Sequence, residues 1–240
     1  MEEVTYAGKE LEIFQHARVW KKYFAHFIKP YLDGKVLEVG AGIGATTEFL
    51  CDGRQESWTC LEPDQQLFEK LKSKINSEDL PSSCIAMKGT IDDLDPNQKF
   101  NAILYIDVLE HIADDALELA KAGALLADKG YMIVLSPAHQ VVYSAFDKSI
   151  GHHRRYNKAS LKRVMPRYLD QKKLGYLDSI GFLASLMNRY MLHQPLPTLR
   201  QIKIWDNCII PISRIADVLS FYSMGRSVLG VWRKRVSEEI

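Results

Sequence analysis

The run Val36–Leu50, VLEVGAGIGATTEFL, limits what this chain can fold into more than any other segment. An apolar strand carrying one acid, Glu38, runs into glycines at alternate positions, Gly40, Gly42 and Gly44, and a helix-like stretch follows. Glycine lacks a Cβ and reaches positive φ at little cost, so such a turn lets the backbone approach a ligand closely. The N–H groups that open the next helix then face the polar groups of that ligand. The pattern is that of a nucleotide- or nucleoside-binding strand–turn–helix.

Three segments narrow the ligand. SWTCLEPD, Ser57 to Asp64, is a short apolar strand ending in Glu62. An acid about 20 residues beyond a glycine loop accepts both hydroxyls of a ribose, and it suits NAD and S-adenosylmethionine alike. Gly40, Gly42 and Ala45 also spell the dinucleotide form G-x-G-x-x-G/A, so the loop itself leaves both ligands open. MKGTIDDL, Met87 to Leu94, ends a strand and opens a loop where an adenine fits beside Ile91, with Thr90, Asp92 and Asp93 as polar candidates. Asp92 and Asp93 read equally well as turn acids. In NAILYIDVLEHIADD, a buried strand delivers Asp107 and LEHI opens onto a helix; His111 reads as a helix-start residue packed behind the cofactor.

A strand tip followed by D-x-L-E-H-I resembles the fourth motif of class I S-adenosylmethionine-dependent methyltransferases, and VLEVGAGIG and LEPD stand upstream in the same order. ELEIFQHARVWKKYFAHFIKPYL and SPAHQVVYSAFDKSIGHHRRYNKASL add likeness to a bacterial subgroup met beside glycan-handling enzymes, so the resemblance covers nearly the whole chain. It implies S-adenosyl-L-methionine as cofactor. Glu38, Gly40, Gly42 and Gly44 would surround its methionine and ribose parts, Glu62 would hold the ribose, and Pro63 would line the adenine. Thr90 and Ile91 would sit at the adenine edge and Asp107 near the methionine amine. Many relatives carry an acid where Thr90 stands, so here the adenine amino group needs Thr90, a backbone carbonyl or Asp92.

At 240 residues the chain can bury one large core. A net charge of +1 gives no global field to recruit nucleic acid or an anionic membrane. Cys51, Cys60, Cys84 and Cys208 lie far apart, which argues against a zinc site or a disulfide framework and suits a reducing cytosol. No metal is expected. The acidic, polar start is unlike a signal peptide, and CIIPISRIADVLSFY, interrupted by Pro211, Arg214 and Asp217, is too short to span a bilayer.

Apolar spacing from Lys9 to Tyr31 predicts one amphipathic helix, either a lid over the cofactor cleft or a helix packed on the sheet. Residues 1–34 would form this addition and 35–240 the methyltransferase domain. Strands are expected at Val36–Val39, Trp58–Leu61, Cys84–Lys88, Ala102–Ile106 and Tyr131–Ser136, with helices at Thr46–Cys51, Gln65–Asn76 and Ala113–Leu126 and a stop at Gly130. Such alternation gives an α/β fold with a doubly wound, mostly parallel sheet. Lys173–Asp178 and Ser227–Arg233 supply strands six and seven, the last antiparallel as in class I methyltransferases. Between them, residues of about 181–224 are rich in Leu, Met, Tyr and Ile and read as a helical cap over the acceptor pocket, with a dimer interface or membrane contact as rival roles.

Methyl transfer needs alignment, exclusion of water and, for a hydroxyl, a base. SPAHQVVYSAFDKSIGHHRRY leaves the fifth strand at the carboxyl edge of the sheet and gathers the candidates. His139, first off the strand, is the leading base, His152 the second, and Asp147 the acid that orients a histidine. Tyr143, Arg155 and Tyr156 are acceptor-binding candidates. The basic run from Arg154 to Arg167 has no series of interleaved aromatics for base stacking and reads as a solvated face, so no nucleic acid is expected. The leading function is methyl transfer to a small-molecule, glycan or lipid-linked acceptor, at oxygen ahead of nitrogen, by a monomer or homodimer. An NAD-linked oxidoreductase and a non-catalytic cofactor-binding protein are the alternatives.

Overall fold

The computed structural model describes residues 9–187 and 198–236. Seven strands form one sheet: β1 (Lys35–Val39), β2 (Ser57–Glu62), β3 (Cys84–Lys88), β4 (Phe100–Ile106), β5 (Leu126–Pro137), β6 (Leu169–Leu177) and β7 (Ser227–Lys234). Their order is β3-β2-β1-β4-β5-β7-β6, with β7 antiparallel to both neighbours and the first five parallel. The doubly wound expectation therefore holds. The strands read as near-continuous apolar runs because both faces are covered. Val36, Trp58, Leu104 and Ile133 pack into one core, and Leu37, Leu61, Tyr105 and Val134 into the other. The strand order reverses between the parallel neighbours β1 and β4, and ligands of open α/β sheets bind at the carboxyl ends beside that point.

Helices α3 (Thr47–Leu50), α4 (Gln65–Asn76) and α5 (Asp115–Leu125) fill the crossovers. The fifth strand starts earlier than expected. Gly130 is no helix stop: α5 ends at Leu125, Leu126 pairs with Phe100, and the chain bulges before Tyr131 pairs with Ala102. A Cβ on Gly130 would stand 2.8 Å from the Ala127 carbonyl oxygen, so the glycine is needed for close backbone approach. Two short helices, α6 (Ala145–Ser149) and α7 (Lys158–Val164), connect β5 to β6.

The single N-terminal helix expected from Lys9 to Tyr31 is two helices, α1 (Lys9–Phe14) and α2 (Arg18–Ile28), followed by a 3-10 turn at Lys29–Tyr31. The break has a tertiary cause. Lys21 Nζ donates to the carbonyls of Phe14 and Gln15 at the end of α1. Asp206 accepts from the N–H groups of Val19 and Trp20, at 3.0 and 2.8 Å, at the start of α2. No side chain of the local segment caps α2.

Asp206 belongs to the helical insertion between β6 and β7. There the described residues form α8 (Ser179–Met187), α9 (Leu199–Ile204), a π-turn at Trp205–Ile209 and α10 (Ile210–Leu219). Buried carboxylates tie these helices together. Asp217 accepts from the N–H groups of Asp178 and Ser179 at the head of α8 and from the Tyr23 hydroxyl of α2. Asp178 accepts from Trp205 Nε1 and Ser213 Oγ. Asp206→Ala leaves two N–H groups uncapped, and a lost cap of this kind costs about 1–2 kcal/mol. For a chain of this size the melting temperature should fall by roughly 2–8 °C, with faster proteolysis within α1 and α2. An unchanged melting curve and cleavage pattern would show that Asp206 does not hold the N-terminal helices.

Candidate active site

The carboxyl ends of the central strands open into a cleft of about 560 Å3, within the usual range of small-molecule sites, about 300–1,000 Å3. The half expected to take the donor is built on the glycine loop. Gly40, Gly42 and Gly44 take φ values of 65, 57 and 72°. A Cβ on Gly40 would stand 2.7 Å from Val108 Cγ2, whereas one on Gly42 would meet only Leu11 Cδ1 at 3.6 Å, so at Gly42 the dihedral alone demands glycine. Gly44 departs from expectation. It backs onto Leu71 and Leu80, behind the loop, and does not line the cleft.

Glu62, at the tip of β2, fastens this loop to its neighbour: Gly42 N–H donates to Oε2 at 2.8 Å and Asp64 N–H to Oε1 at 2.9 Å. Each carboxylate oxygen retains a lone pair toward the cleft, where a ribose would offer its hydroxyls. Burial raises the proton affinity of Glu62, and the two N–H donors oppose it. Glu38 is buried under the loop and accepts from Thr47 Oγ1 and Trp58 Nε1 at 2.7 and 2.9 Å. Burial pushes its carboxyl up to about 7, against those two hydrogen bonds.

Pro63, Thr90 and Ile91 line the end of the cleft where the sequence places the adenine, with Asp92 beside them. Thr90 heads the short 3-10 turn Ile91–Asp93, and its N–H and hydroxyl donate to Asp93 Oδ2. The oxygen of Thr90 is thereby left as an acceptor, the function an adenine amino group requires. Asp107 ends β4 with φ of 54°, and its N–H donates to the Leu135 carbonyl. The left-handed turn leaves its carboxyl at the solvent-accessible side of the cleft, where the crowding walls desolvate it and push it up to about 6 against the pull of His152, Arg226 and Lys21.

The acceptor half lies beyond Asp107. Asp147, on α6, is buried and fully engaged: Ser144 N–H and Oγ donate to it, Arg155 binds it through Nε and Nη2, and His152 Nδ1 lies 2.9 Å from Oδ1. These partners outweigh burial and hold its carboxyl well below the usual range. A carboxylate can only accept, so Nδ1 carries the hydrogen and Nε2 faces the cleft. Glu110 lies opposite, buried, with Ser136 Oγ donating to Oε2 at 2.7 Å. Its Oε1 and Arg155 Nη1 are buried without a hydrogen-bond partner.

Four sequence expectations are corrected here. His139 does not line the cleft; its φ of 63° turns the ring onto Tyr176 and Phe182, with centroids 4.5 Å apart in both pairs. Tyr143 donates to the His152 carbonyl and so shapes the loop. Tyr156 is buried in the core, its hydroxyl given to Asp115. His111 lines the cleft edge-on to His152, with rings 4.6 Å apart, and burial lowers it to about 4. Glu110, Lys21 and Arg226 reach the cleft without having been singled out, although Glu110 stands inside the LEHI motif.

Glu38 ionises near 7 when folded and near 4.5 when unfolded. The fold therefore holds an extra proton between those values, and stability falls as pH rises through them. Glu38→Gln keeps an acceptor for Thr47 and Trp58 and should flatten that decline, by on the order of 3 kcal/mol at most; urea midpoints at pH 5 and 8 measure it. Parallel pH profiles of the two proteins would refute the assignment. Glu62→Ala should weaken S-adenosylhomocysteine binding at least tenfold by calorimetry, and unchanged affinity would remove Glu62 from the ribose site.

A family model described as a methyltransferase domain matches residues 14–190. No curated protein matches the chain by sequence. Among solved structures, the S-adenosylmethionine-dependent methyltransferase from Clostridium acetobutylicum is similar with a TM-score of 0.60 at 11% identity, over 95% of this chain and 98% of that one. The N-methyltransferase NodS from Bradyrhizobium japonicum gives 0.56 at 12% identity, over 92% and 97%. The cyclase SpnF gives 0.63 at 14%, over 90% and 81%. Identities this low speak for the fold alone; the family model, spanning most of the chain, carries the assignment. The chain belongs to the class I S-adenosylmethionine-dependent methyltransferases.

Proposed function

We propose that this methyltransferase acts on a hydroxyl of a small acceptor that also carries an anionic or oxygen-rich group. The observation that carries the reading is the Asp147–His152 pair, which opens with Arg155 onto the same cleft as the glycine loop. The donor supplies a methyl carbon on a sulfonium, open to in-line displacement by a lone pair. The residues of the chain do the rest. Gly42, Glu62 and Asp107 hold the donor half, and Phe14, Trp20 and Trp205 cover the cleft and exclude water. His152 Nε2, held by Asp147 and free on its cleft side, takes the hydroxyl proton. A positioned base of this kind is worth about 10²–10⁴-fold.

Lys21, Arg155 and Arg226 line the acceptor half, and the buried, unpartnered Nη1 of Arg155 is a ready donor to an acceptor oxygen. This cationic setting favours an anionic acceptor. Soluble metabolites, glycans and lipid-linked glycans all offer the needed hydroxyl. The exposed apolar face of α10, with Ile212, Ile215 and Leu219, favours a lipid-linked form. We read α1 and α2 as a lid, with Gln15–Ala17 as its hinge.

Three measurements test this. S-adenosylhomocysteine should raise the melting temperature and NAD should not. Wild-type protein with labelled donor should methylate at least one of a panel of hydroxylated anions, glycosides and lipid-linked sugars. His152→Ala should cut that turnover at least tenfold with S-adenosylhomocysteine affinity held. Unchanged turnover would remove His152 from the reaction, and N-methylation of amines alone would replace the oxygen assignment.

A further inference from the structure

His152 Nε2 does not stand alone at the floor of the acceptor half. Glu110, His111 and His152 each present one ligand atom there, all within 4.8 Å of one another, the only such group among the described residues. Each side chain has its other end held. His152 Nδ1 is bound to Asp147 at 2.9 Å, Glu110 Oε2 accepts from Ser136 Oγ, and the Gly151 backbone hydrogen-bonds the His111 ring. Outer partners of this kind orient metal ligands and fix the ring tautomer. What remains is Glu110 Oε1, fully buried and without a hydrogen-bond partner. His152 Nε2 stands 3.8 Å from it, beyond hydrogen-bond reach.

A buried carboxylate oxygen left unpaired costs several kcal/mol in general, and an ordinary histidine contact would have closed that gap. The gap is the size an ion needs. Metal bonds of about 2.0–2.2 Å to nitrogen and oxygen set ligand atoms of one ion about 3–4 Å apart. We propose that Glu110, His111 and His152 form a site for one divalent transition-metal cation of the Mn2+, Co2+ or Zn2+ class, open on its cleft side to an oxygen of the acceptor. Two imidazoles and one carboxylate suit that class better than Mg2+ or Ca2+. The far-apart cysteines that spoke against zinc in the sequence have no bearing on a His/carboxylate set.

The use of this site rests on the methyl-transfer reading; its geometry does not. A cation held there draws an acceptor hydroxyl to the cleft floor and lowers its proton affinity, as zinc does for water. His152 Nε2 then serves as ligand and the hydroxyl proton leaves to solvent. The oxygen lone pair forms the new bond to the methyl carbon, and the pair of the broken carbon–sulfur bond stays on sulfur.

The test uses full-length protein stripped with chelator and titrated by calorimetry with MnCl2, CoCl2 or ZnCl2, with S-adenosylhomocysteine binding measured in parallel. At least one cation should bind at one equivalent per chain, and Co2+ should show visible absorption bands. Glu110→Gln and His111→Gln should each weaken that binding at least tenfold while S-adenosylhomocysteine affinity stays. No saturable binding by wild type, or binding equal to wild type in both variants, would overturn the proposal. Cation binding without S-adenosylhomocysteine binding would keep the metal site and sink the methyl-transfer reading instead.

Discussion

Buried carboxylates accepting backbone N–H groups hold this molecule's cleft together. Asp206 and Asp217 join helices that lie almost two hundred residues apart in sequence, the first by heading α2 from the insertion, the second by heading α8 while holding Tyr23. Charge-assisted bonds of this type are about twice as strong as neutral ones. They act where solvent cannot replace them, since both side chains are almost fully buried. Without them the aromatic roof formed by Phe14, Trp20 and Trp205 would have no fixed position over the sheet. Trp20 and Trp205 meet with centroids 5.9 Å apart, and Phe14 stands edge-on to Trp205 at 6.3 Å.

The same chemistry separates structural from functional acids. Asp147, Asp178 and Asp217 have both oxygens bonded within the protein. Their charge is spent on architecture. Glu110 and Asp107 differ, because each turns a carboxyl toward the cleft, Glu110 fully buried and Asp107 open to solvent, and desolvation by the cleft walls raises both proton affinities. Glu62 stands between these cases: each oxygen takes one N–H and keeps capacity for a second donor. Perturbed acids concentrate at functional sites, and here the hydrogen-bond inventory separates those at the site from those in the frame.

Much of this was legible in the sequence. Strand positions follow from apolar runs of fixed length, and the glycine loop announces its own dihedrals, which only backbone without a Cβ adopts easily. The donor half is local: Gly42, Glu62 and Asp107 each sit at a strand tip that the alternation of elements already orders. The acceptor half is not. The break between α1 and α2 depends on Asp206, and no window around Gln15 contains that information. His139 looks like the first histidine at the site, yet one left-handed residue sends its ring under α8, against Phe182. Tyr156 has the right chemistry for an acceptor ligand but pairs with Asp115, forty-one residues before it. Glu110 is hidden differently: it stands inside the LEHI signature, which marks a family and gives its glutamate no separate role.

This division has a consequence for specificity. The part of the cleft proposed for the donor is lined from the tips of β1, β2 and β4, whose geometry the sheet fixes and whose changes would disturb the core. The acceptor half is lined from the segment after β5, from the two N-terminal helices and from Trp205 and Arg226 at the insertion. Those parts meet mostly through side-chain contacts and buried caps; the backbone link is at the end of the β5–β7 ladder, where Ala138 N–H donates to the Arg226 carbonyl. Substitutions at Phe146, Ile150 or Trp205 can therefore reshape the acceptor pocket without moving Glu62 or the glycine loop. The polar floor of Glu110, His111 and His152 belongs to neither set. It lies between the donor half and the variable wall, anchored by Ser136 on β5 and by Asp147 on α6. A polar cluster at that junction keeps its geometry while the pocket around it changes, since its supports come from the sheet and from one buried ion-pair network.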